Sequence, residues 1–465
     1  MTLITSISGI RGTIGGSPKE HLTPPDIVKY TSAYAHLIQA EFTGQRCKIV
    51  LARDARISGE MLHQIVCGTL MACGMDVLDL GLATTPTAEM EVMHQKAHGG
   101  IILTASHNPK QWNALKLLNQ KGEFISSQQG QKLLELAESM EFTYAGIDAL
   151  GQYHRVENAL KRHIEAIINL PYVNRDSIRK AGFKIVIDPV NSVGATAVPE
   201  LLKALGINEF KLIHDTVNGE FAHNPEPLPE HLTDLSDSVI NSGAHLGISV
   251  DPDVDRLAFV CEDGSLFGEE YTLVAVADFM LRHFPGTATV SNLSSTRALA
   301  DITLKSGSSY SASAVGEVNV VETMKRTGAK IGGEGNGGVI VSDLHYGRDA
   351  LAGIALFLSW LSDLKRPLSE AKKLLPAYSM SKQKVDVHSG IVLEDILKSI
   401  SNQFKNEPQN TSDGLKIDFK DAWVHLRKSN TEPIIRIYTE AKESKEADAL
   451  AQEFADRIRK AAELT

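Results

Sequence analysis

Short apolar runs alternate with longer amphipathic segments over most of the chain. β-Branched runs at residues 48–53 (KIVLAR), 184–187 (KIVI) and 288–293 (ATVSNL) are each followed by a turn and a segment with helical apolar spacing. Strands that alternate with helices in this way predict βαβ units and mostly parallel sheets. The similarity of KIVLARD to KIVIDPV is consistent with a repeated domain.

The pattern changes after the Pro- and Ser-containing stretch at residues 375–382, which we expect to connect two domains. There follow KVDVHSG, a helical segment EDILKSISNQFKN, strand-like segments KIDF, WVHLR and IIRIYTEA, and a closing helix KEADALAQEFADRIRKAAE. This order predicts a small α+β domain with an antiparallel sheet. Since 465 residues exceed what one core supports, the length alone predicts two to four domains. The order of the strand–helix segments and the change of pattern predict four, at residues 1–150, 151–262, 263–375 and 376–465.

Composition narrows the range of partners. The net charge of −10 and the lack of a basic block argue against nucleic acid, but a small phosphorylated ligand needs only a few local cations. The apolar stretch at residues 351–361 is too short to cross a bilayer and predicts a buried helix. With no signal-peptide pattern and no C-x-x-C spacing, we expect a cytoplasmic protein with no membrane partner and reduced, mostly buried cysteines.

The first candidate chemical motif is TASHNP at residues 104–109, directly after the apolar run GGIIL. A serine at the end of a strand and before His-Asn-Pro predicts a tight turn that presents the hydroxyl of Ser106 to solvent. That arrangement suits a nucleophile, and an ordinary polar turn is the alternative.

The second motif is the alternation of Asp251, Asp253 and Asp255 in one short loop. Three carboxylates this close favour a hard cation. An EF-hand is the competing metal site, since Glu262 falls at its twelfth position, but Arg256 stands at the sixth, where Gly is needed, and the flanks are strand-like. Mg²⁺ completed by a phosphate oxygen fits better, and a solvated acidic turn is the alternative.

The third motif is the glycine-rich stretch GGEGNGG at residues 332–338. It contains a formal G-x-G-x-x-G, but the strand-like VIVSD follows it instead of a helix, which argues against a dinucleotide site. The glycines leave room for Glu334 and Asn336 to reach sugar hydroxyls. A plain glycine-rich hairpin is the alternative.

The fourth motif, RKSNTEP at residues 427–433, is followed by Arg436. Arg427 with two hydroxyls, an amide and turn backbone N–H groups suits a phosphate, and a polar hairpin is the alternative. Taken together, a serine nucleophile, a metal held by carboxylates, a polyol-binding loop and a phosphate nest indicate phosphoryl transfer on a sugar phosphate.

These motifs, in this order, resemble those of the α-D-phosphohexomutase family, as does SGIRG at residues 8–12. The resemblance covers essentially the whole chain. It implies three related α/β domains with mixed, mostly parallel sheets and a smaller C-terminal α+β domain around a central cleft.

The resemblance also implies a role for each matching residue. Ser106 would be the phosphorylated serine, and its oxygen would hold one Mg²⁺ per chain together with Asp251, Asp253 and Asp255. The residues implied to line the reacting phosphate are Arg11, His107, Lys116 and Arg256, with Lys116 or Arg11 assisting proton transfer. Glu334 and Asn336 would bind sugar hydroxyls. The residues implied to hold the other phosphate are Arg427, Ser429, Asn430, Thr431 and Arg436.

The implied reaction interconverts hexose 6-phosphate and hexose 1-phosphate through a phosphoserine and a hexose 1,6-bisphosphate, which serves as intermediate and activator. Asn336 and the segment HNPEP at residues 223–227 resemble the archaeal-type phosphoglucosamine mutases, so we expect glucosamine phosphate as the substrate, with glucose or mannose phosphate as the alternative. The partner is then a small-molecule sugar phosphate, bound by a monomer or homodimer. A serine-nucleophile, metal-dependent phosphatase and a non-catalytic sugar-phosphate sensor are alternatives from other classes.

Overall fold

The computed structural model describes residues 2–6, 9–386, 393–428 and 434–462. The chain divides into two compact units. The first unit comprises Met1–Thr272 and Asn336–Lys372, and the second comprises Leu273–Gly335 and Lys373–Thr465.

The first unit begins with a seven-stranded mixed sheet. Its strands are β1 (Ile4–Ser6), β2 (Gly9–Thr13), β3 (Lys48–Arg53), β4 (Asp76–Leu82), β5 (Gly99–Leu103), β6 (Trp112–Leu118) and β7 (Tyr153–Arg155). They lie in the order β1-β2-β6-β5-β3-β4-β7. Strands β5, β3, β4 and β7 are parallel to one another, whereas β6 pairs antiparallel with both β5 and β2, and β1 pairs antiparallel with β2. The sheet is therefore parallel where βαβ units were predicted and antiparallel at one edge.

Helices cover both faces of this sheet. They are α1 (Pro24–Glu41), α2 (Gly59–Ala72), α3 (Thr85–His94) and α4 (Ser127–Ser139). In β3, Ile49 and Leu51 enter one hydrophobic core with α1, α2 and α4, while Val50 and Ala52 enter another with α3. Successive side chains of a strand point to opposite faces, so KIVLAR is apolar throughout because both of its faces are buried.

A second, four-stranded sheet follows in the same unit. Its strands are β8 (Ile185–Asp188), β9 (Phe210–Leu212), β10 (Leu246–Val250) and β11 (Leu257–Cys261), in the order β11-β10-β8-β9. Strand β8 is parallel to β9 and β10, and β11 pairs antiparallel with β10. The helices of this region are α5 (Ala159–Ile168), α6 (Arg175–Ala181), α7 (Gly194–Ala204) and α8 (Thr233–Ser242).

After α9 (Glu269–His283), the second unit contains a parallel sheet. Its strands are β12 (Thr289–Asn292), β13 (Tyr310–Ser313) and β14 (Ile331–Glu334), with β12 parallel to both β13 and β14. The connecting helices are α10 (Ala298–Lys305) and α11 (Glu317–Thr327). This is the third α/β region that the strand–helix rhythm predicts.

The chain then returns to the first unit with β15 (Gly338–Val341), α12 (Ala350–Leu364) and α13 (Leu368–Lys372). Every residue in Ala350–Ser362 of α12 is buried, which confirms the buried helix predicted at residues 351–361. Within the described residues, no helix is both long and apolar enough to cross a membrane.

The C-terminal part of the second unit is an α+β fold, as predicted. It contains β16 (Ser379–Asp386), α14 (Leu393–Gln403), β17 (Gln409–Asn410), β18 (Leu415–Asp418), β19 (Trp423–Lys428), β20 (Ile434–Ala441) and α15 (Ser444–Ala462). The five strands pair antiparallel in the order β16-β20-β19-β18-β17. The connection expected at residues 375–382 is shorter than predicted, because residues 379–382 already pair with β20.

Candidate active site

The turn that follows β5 places Ser106 in the first unit. Ser106 has a φ of 48°, a left-handed conformation that is uncommon for a residue with a side chain. Its backbone N–H donates to Thr104 Oγ1 at 3.0 Å. The turn predicted from TASHNP is present.

The exposure predicted for Ser106 is wrong. Ser106 is only 7% exposed, and its hydroxyl donates a hydrogen bond to Asp251 Oδ2 at 2.5 Å. The physical reason is that the acidic loop after β10 packs against this turn. The hydroxyl is therefore held inside a charged site, and not presented on the surface.

The buried side chain of Arg56 holds the turn that contains Ser106 through hydrogen bonds to its backbone. The guanidinium of Arg56 donates to the carbonyl oxygens of Ser106, Asn108, Pro109 and Trp112 at 2.6–2.9 Å. Four carbonyls of one turn are thus satisfied by one side chain.

Asp54 neutralises that arginine. Its Oδ2 accepts from Arg56 Nε at 3.2 Å and from Thr104 Oγ1 at 2.6 Å. Burial raises the pKa of Asp54 to about 6, although Arg56 and Thr104 oppose that rise. Both partners of the pair are fully buried, so the turn rests on an ion pair removed from solvent.

The acidic loop joins the antiparallel strands β10 and β11. Asp251, Asp253 and Asp255 are fully buried, and each offers an oxygen within 4.8 Å of those of the other two. Val254, between two of them, has a φ of 62°, which is a strained conformation for a β-branched residue. The flanks are strands, so the loop is not an EF-hand.

The amino terminus of α3 meets this loop. Thr85 Oγ1 donates to Asp253 Oδ2 at 2.6 Å, and the Thr85 backbone N–H donates to the Asp253 carbonyl at 2.9 Å. The partial positive charge of a helix amino terminus favours a carboxylate there. This contact joins the first sheet to the loop of the second.

Three cations surround the aspartates. Lys116 Nζ lies 2.6 Å from Asp253 Oδ2 and 3.1 Å from Asp255 Oδ2, and Arg348 donates to Asp255 Oδ2 at 2.8 Å. Arg256 Nε lies 4.0 Å from Asp255 Oδ1, and Arg256 Nη1 donates to Glu226 Oε1 at 3.1 Å. The site therefore offers positive charge to a phosphate placed among these side chains.

The pKa values of Asp251 and Asp255 are shifted in opposite directions by their surroundings. Burial raises the pKa of Asp251 well above its ordinary value, and the neighbouring Asp255 and Asp253 raise it further. Burial acts against ionisation of Asp255 too, but Arg348 and Lys116 outweigh it and hold that pKa low.

The pKa values of Lys116 and His107 are also shifted in opposite directions, that of Lys116 upward and that of His107 downward. Burial disfavours the charged form of Lys116, yet Asp253 and Asp255 raise its pKa. Burial lowers the pKa of His107 well below its ordinary value, and the charge of Arg256 adds to this effect. At neutral pH, Lys116 is charged and His107 is neutral.

The donor set fits a divalent metal ion. Asp253 Oδ1 and Asp255 Oδ1 are buried without a hydrogen-bond partner, which is costly unless a cation binds them. Together with Asp251 they give an all-oxygen ligand set, which suits Mg²⁺ better than softer metals. The three aspartates could therefore hold a metal ion next to the Ser106 hydroxyl.

The structure brings together the predicted residues of the first unit. Arg11, on β2 opposite Ala114 of β6, is close enough to His107 for its charge to lower the pKa of that histidine. Asn336 also belongs to this unit, where its Oδ1 accepts from the Gly338 N–H at 3.1 Å. Its side chain thereby closes the turn before β15.

Glu334, the other predicted sugar ligand, ends β14 in the second unit and is 4% exposed. Its Oε1 accepts from Asn292 Nδ2 at 3.0 Å and from the Gly316 N–H at 3.1 Å. These bonds fix the carboxylate at the carboxyl end of the parallel strands, the edge where ligands bind in open α/β sheets.

Basic side chains lie in a row across the C-terminal sheet. Arg427 on β19 is opposite Arg436 on β20, which is in turn opposite Lys384 on β16. Side chains directly opposite one another share a face, and like charges there repel. Asp413 offsets part of this charge by accepting from Arg427 Nε at 2.9 Å. The row is suited to an anion.

Ser429, Asn430 and Thr431, which the resemblance implies as ligands of the same phosphate, lie outside the described residues, as does Ser8.

Four contributors to these sites were missed in the sequence. Lys384 lies far from Arg427 and Arg436 in the sequence, and Arg348 lies far from the aspartate loop that it contacts. Arg56 and Thr85 stand in ordinary helix-start contexts, RDARISG and TTPTAE. The only sequence signal was the pairing of Asp54 with Arg56, which is also common on protein surfaces.

Comparison with known proteins identifies the family. Four family profiles match in succession. Three are described as Phosphoglucomutase/phosphomannomutase, alpha/beta/alpha domain I, II and III, at residues 3–144, 161–264 and 268–378, and the fourth as the C-terminal domain, at residues 378–457.

Individual proteins agree with the profiles. A phosphoglucomutase/phosphomannomutase of Thermococcus kodakarensis is 34% identical, over 94% of this chain and 95% of its own. A phosphoglucosamine/phosphogalactosamine mutase of Sulfurisphaera tokodaii is 31% identical, over 96% and 97%. The crystal structure of a phosphoglucomutase/phosphomannomutase family protein of Burkholderia thailandensis superposes with a TM-score of 0.84 at 25% identity, covering 99% and 98% of the two chains.

The chain therefore belongs to the phosphoglucomutase/phosphomannomutase family, the α-D-phosphohexomutases, and is a mutase enzyme of that family. Its four-domain α/β architecture with mixed sheets is the one expected from the resemblance.

Proposed function

We propose that this enzyme interconverts hexose 6-phosphate and hexose 1-phosphate, with Ser106 carrying the phosphoryl group. The observation that carries the proposal is the 2.5 Å hydrogen bond from the Ser106 hydroxyl to Asp251, inside a buried group of three carboxylates with Lys116, Arg256 and Arg348 around it. A hydroxyl in this position is oriented for phosphoryl transfer, which depends on positioning and charge more than on covalent chemistry.

The proposed cycle has two half-reactions. In the first, the bond between phosphorus and Ser106 Oγ breaks and a bond from phosphorus to the free hydroxyl oxygen of the sugar monophosphate forms, giving the 1,6-bisphosphate. The proton lost by the sugar hydroxyl is balanced by the proton that Ser106 Oγ regains. The bisphosphate then reorients in the site. In the second half-reaction its other phosphoryl group is transferred to Ser106 Oγ by the reverse of the first step, which releases the product monophosphate.

We further propose one Mg²⁺ per chain on Asp251, Asp253, Asp255 and the phosphoserine oxygen. Bound there, the ion would neutralise charge on the phosphoryl oxygens. Asp253 and Asp255 would offer the ion their unpartnered Oδ1 atoms, while their Oδ2 atoms stay paired with Lys116. We expect chelator treatment to abolish turnover and Asp253→Asn to slow transfer on the order of a hundredfold. Full activity after chelation would remove the metal from this proposal.

The phosphate that is not reacting is proposed to bind at the basic row of Lys384, Arg436 and Arg427 with the neighbouring residues Ser429, Asn430 and Thr431. Arg427→Ala should weaken monophosphate binding by about 1.5–3 kcal/mol, the value of a hydrogen bond to a charged group. Lys442→Ala is a matched control, because Lys442 pairs with Asp421 on the surface at 3.0 Å. Equal Michaelis constants for Arg427→Ala and wild type would contradict this assignment.

We propose glucosamine phosphate as the preferred substrate, with Glu334 and Asn336 as ligands of the sugar hydroxyls. The name of the Sulfurisphaera relative and the Asn336 loop favour it, whereas the name of the Thermococcus relative favours glucose or mannose phosphate. Comparing kcat/KM on the 6-phosphates of glucosamine, glucose and mannose decides between them. A higher kcat/KM for glucose or mannose 6-phosphate would overturn the substrate assignment and leave the mutase chemistry intact.

The nucleophile is tested by Ser106→Ala. Wild-type protein should show a fraction with one added phosphoryl group by intact mass, and the variant should show none and lose nearly all turnover. Ser139→Ala is the control, because that hydroxyl is exposed at the end of α4. Mutase turnover of Ser106→Ala near the wild-type rate would exclude Ser106 as the phosphoryl carrier.

A further inference from the structure

A second cluster of metal-binding side chains lies in the second sheet, apart from the aspartates of the acidic loop. Asp188, His214 and His223 each offer one ligand atom, and these atoms lie within 4.8 Å of one another. Asp188 ends β8 and is fully buried, while the side chains of His214 and His223 are 19% and 15% exposed. The mechanism proposed above uses none of the three.

The carboxylate of Asp188 lies between the two imidazoles. His214 Nδ1 is 3.1 Å from Asp188 Oδ1, and His223 Nε2 is 3.0 Å from Asp188 Oδ2. The ring centroids are 5.4 Å apart. In a tetrahedral site with metal–ligand distances of about 2.0 Å, neighbouring ligand atoms are about 3.3 Å apart. The two distances between the imidazole nitrogens and the Asp188 oxygens therefore need little adjustment to admit an ion.

The far nitrogen of each ring also faces an acceptor. His223 Nδ1 is 2.7 Å from the carbonyl oxygen of Asn224, and His214 Nε2 is 3.4 Å from Asp234 Oδ2. His223 has a close acceptor on each ring nitrogen, and a neutral imidazole has only one N–H to donate. When that N–H donates to the Asn224 carbonyl, the lone pair of Nε2 faces the Asp188 carboxylate, and this contact is repulsive unless a positive charge lies between them.

Two arrangements supply that charge: a second proton on each imidazole, or one divalent metal ion shared by both. The second matches the way proteins hold metal-binding histidines, whose outer N–H donates to a carbonyl or carboxylate that fixes the tautomer. One ion also satisfies both rings and Asp188 at once. Two imidazoles and a carboxylate suit zinc and related transition metals, in contrast to the all-oxygen set of the acidic loop.

We propose that Asp188, His214 and His223 form a transition-metal site of the zinc type, with a fourth position open to solvent on the histidine side. The site would connect the end of β8, the segment after β9 and the loop that contains His223. That loop also carries Glu226, whose carboxylate accepts from Arg256 at 3.1 Å. An ion bound at His223 would therefore hold the segment that positions one cation of the active site.

The first test is zinc binding by the full chain after chelator treatment, in excess Mg²⁺ so that the acidic loop is saturated. We expect one Zn²⁺ per chain to remain after gel filtration, measured by elemental analysis, and a rise in the midpoint of thermal unfolding. Co²⁺ in its place should give the strong visible absorption of a four-coordinate site. Wild-type protein that retains no stoichiometric zinc under these conditions would overturn the proposal.

Variants then locate the ion. His223→Ala and the milder His214→Gln should lose the retained zinc and its thermal shift, whereas His154→Ala, which removes an exposed histidine of β7, should keep both. Asp253→Asn should also keep the zinc, since it alters only the acidic loop. Zinc retained by both His223→Ala and His214→Gln, or lost in Asp253→Asn, would place the ion elsewhere and contradict the assignment.

Discussion

At the residue scale, the serine turn depends on a side chain that no catalytic motif contains. Arg56 is 1% exposed and binds four carbonyls of the turn. The left-handed φ of Ser106 costs on the order of 1–3 kcal/mol and persists only where the surroundings enforce it. Arg56 helps to enforce it through the turn carbonyls, together with Thr104 and Asp251, which accept from the N–H and the hydroxyl of Ser106.

Arg56→Met should therefore destabilise the protein strongly. Removing the guanidinium leaves Asp54 buried without its cation, a change that costs about 3–5 kcal/mol. Arg56→Lys should recover part of this stability and little activity, because one ammonium group cannot reach four carbonyls in a plane. Urea unfolding and kcat measure the two effects. As a control, Arg53→Lys changes an arginine whose partner Glu60 is exposed, and a wild-type unfolding midpoint for Arg56→Met would contradict the prediction.

A second residue-scale feature is a buried imidazolium in the first unit. His345 is 3.2 Å from Asp349 and 3.3 Å from Glu89, and Asp349 also caps α12. Burial alone would lower the pKa of His345, but hydrogen bonds and charge from Asp349 and Glu89 outweigh it and raise the pKa to about 10. The adjacent Arg348 donates to Asp255, so this cluster lies next to the proposed metal site.

The raised pKa predicts how stability depends on pH. A histidine with a folded pKa above its unfolded value stabilises the fold fully below about pH 6.5 and loses that contribution as the pH rises through the folded pKa. The free energy of unfolding should therefore fall between pH about 6.5 and about 10. His345→Gln should flatten this part of the profile, while His154→Ala should not. Equal slopes for His345→Gln and wild type would disprove the assignment.

Much of the site was predictable at this scale, and the reason is local. Ser106 and the three aspartates lie within short motifs whose chemistry is visible in six residues. Arg56 and Arg348 were not predictable, because their partners lie 50 or more residues away in the sequence. The burial of Ser106 was missed for the same reason, since it depends on a loop 145 residues further along the chain.

At the element scale, α12 shows what hydrophobic pattern alone can predict. Its continuous apolar run has no exposed face, and the helix packs against α5, α6, α7 and β11. By contrast, the start of β16 falls in the Pro- and Ser-containing stretch at residues 375–382, whose composition predicts a connection. Pairing with β20 determines its conformation, and pairing is not encoded locally. The basic row of the C-terminal sheet was not predictable from local sequence for the same reason, because the register of β16, β20 and β19 determines which side chains lie opposite one another.

The buried position of α12 gives a stability prediction. Leu356→Ala should lower the free energy of unfolding by about 2–5 kcal/mol, from lost burial and the cavity left behind. Leu304 lies on α10 and is 63% exposed, so Leu304→Ala should change it by no more than about 0.5 kcal/mol. Chemical denaturation of both variants measures the difference. Similar losses for the two would mean that α12 is not a tightly packed element.

At the scale of the whole molecule, the proposed sites are distributed over both compact units. The serine turn, the aspartates and Asn336 belong to the first unit, and Glu334 and the basic row belong to the second. The chain passes from one unit to the other between Gly335 and Asn336, inside the glycine-rich stretch. The four domains predicted from the sequence follow the strand–helix pattern along the chain, whereas the two units follow its packing.

The central claim is that the phosphoryl group on Ser106 is passed to the sugar and recovered. It is tested most directly by labelling the phosphoserine with ³²P, adding unlabelled hexosamine 6-phosphate, and separating the products over time. The account predicts label first in the 1,6-bisphosphate and then in the monophosphate products, with little inorganic phosphate. Label that appears only as inorganic phosphate would identify a phosphatase and contradict the mutase cycle.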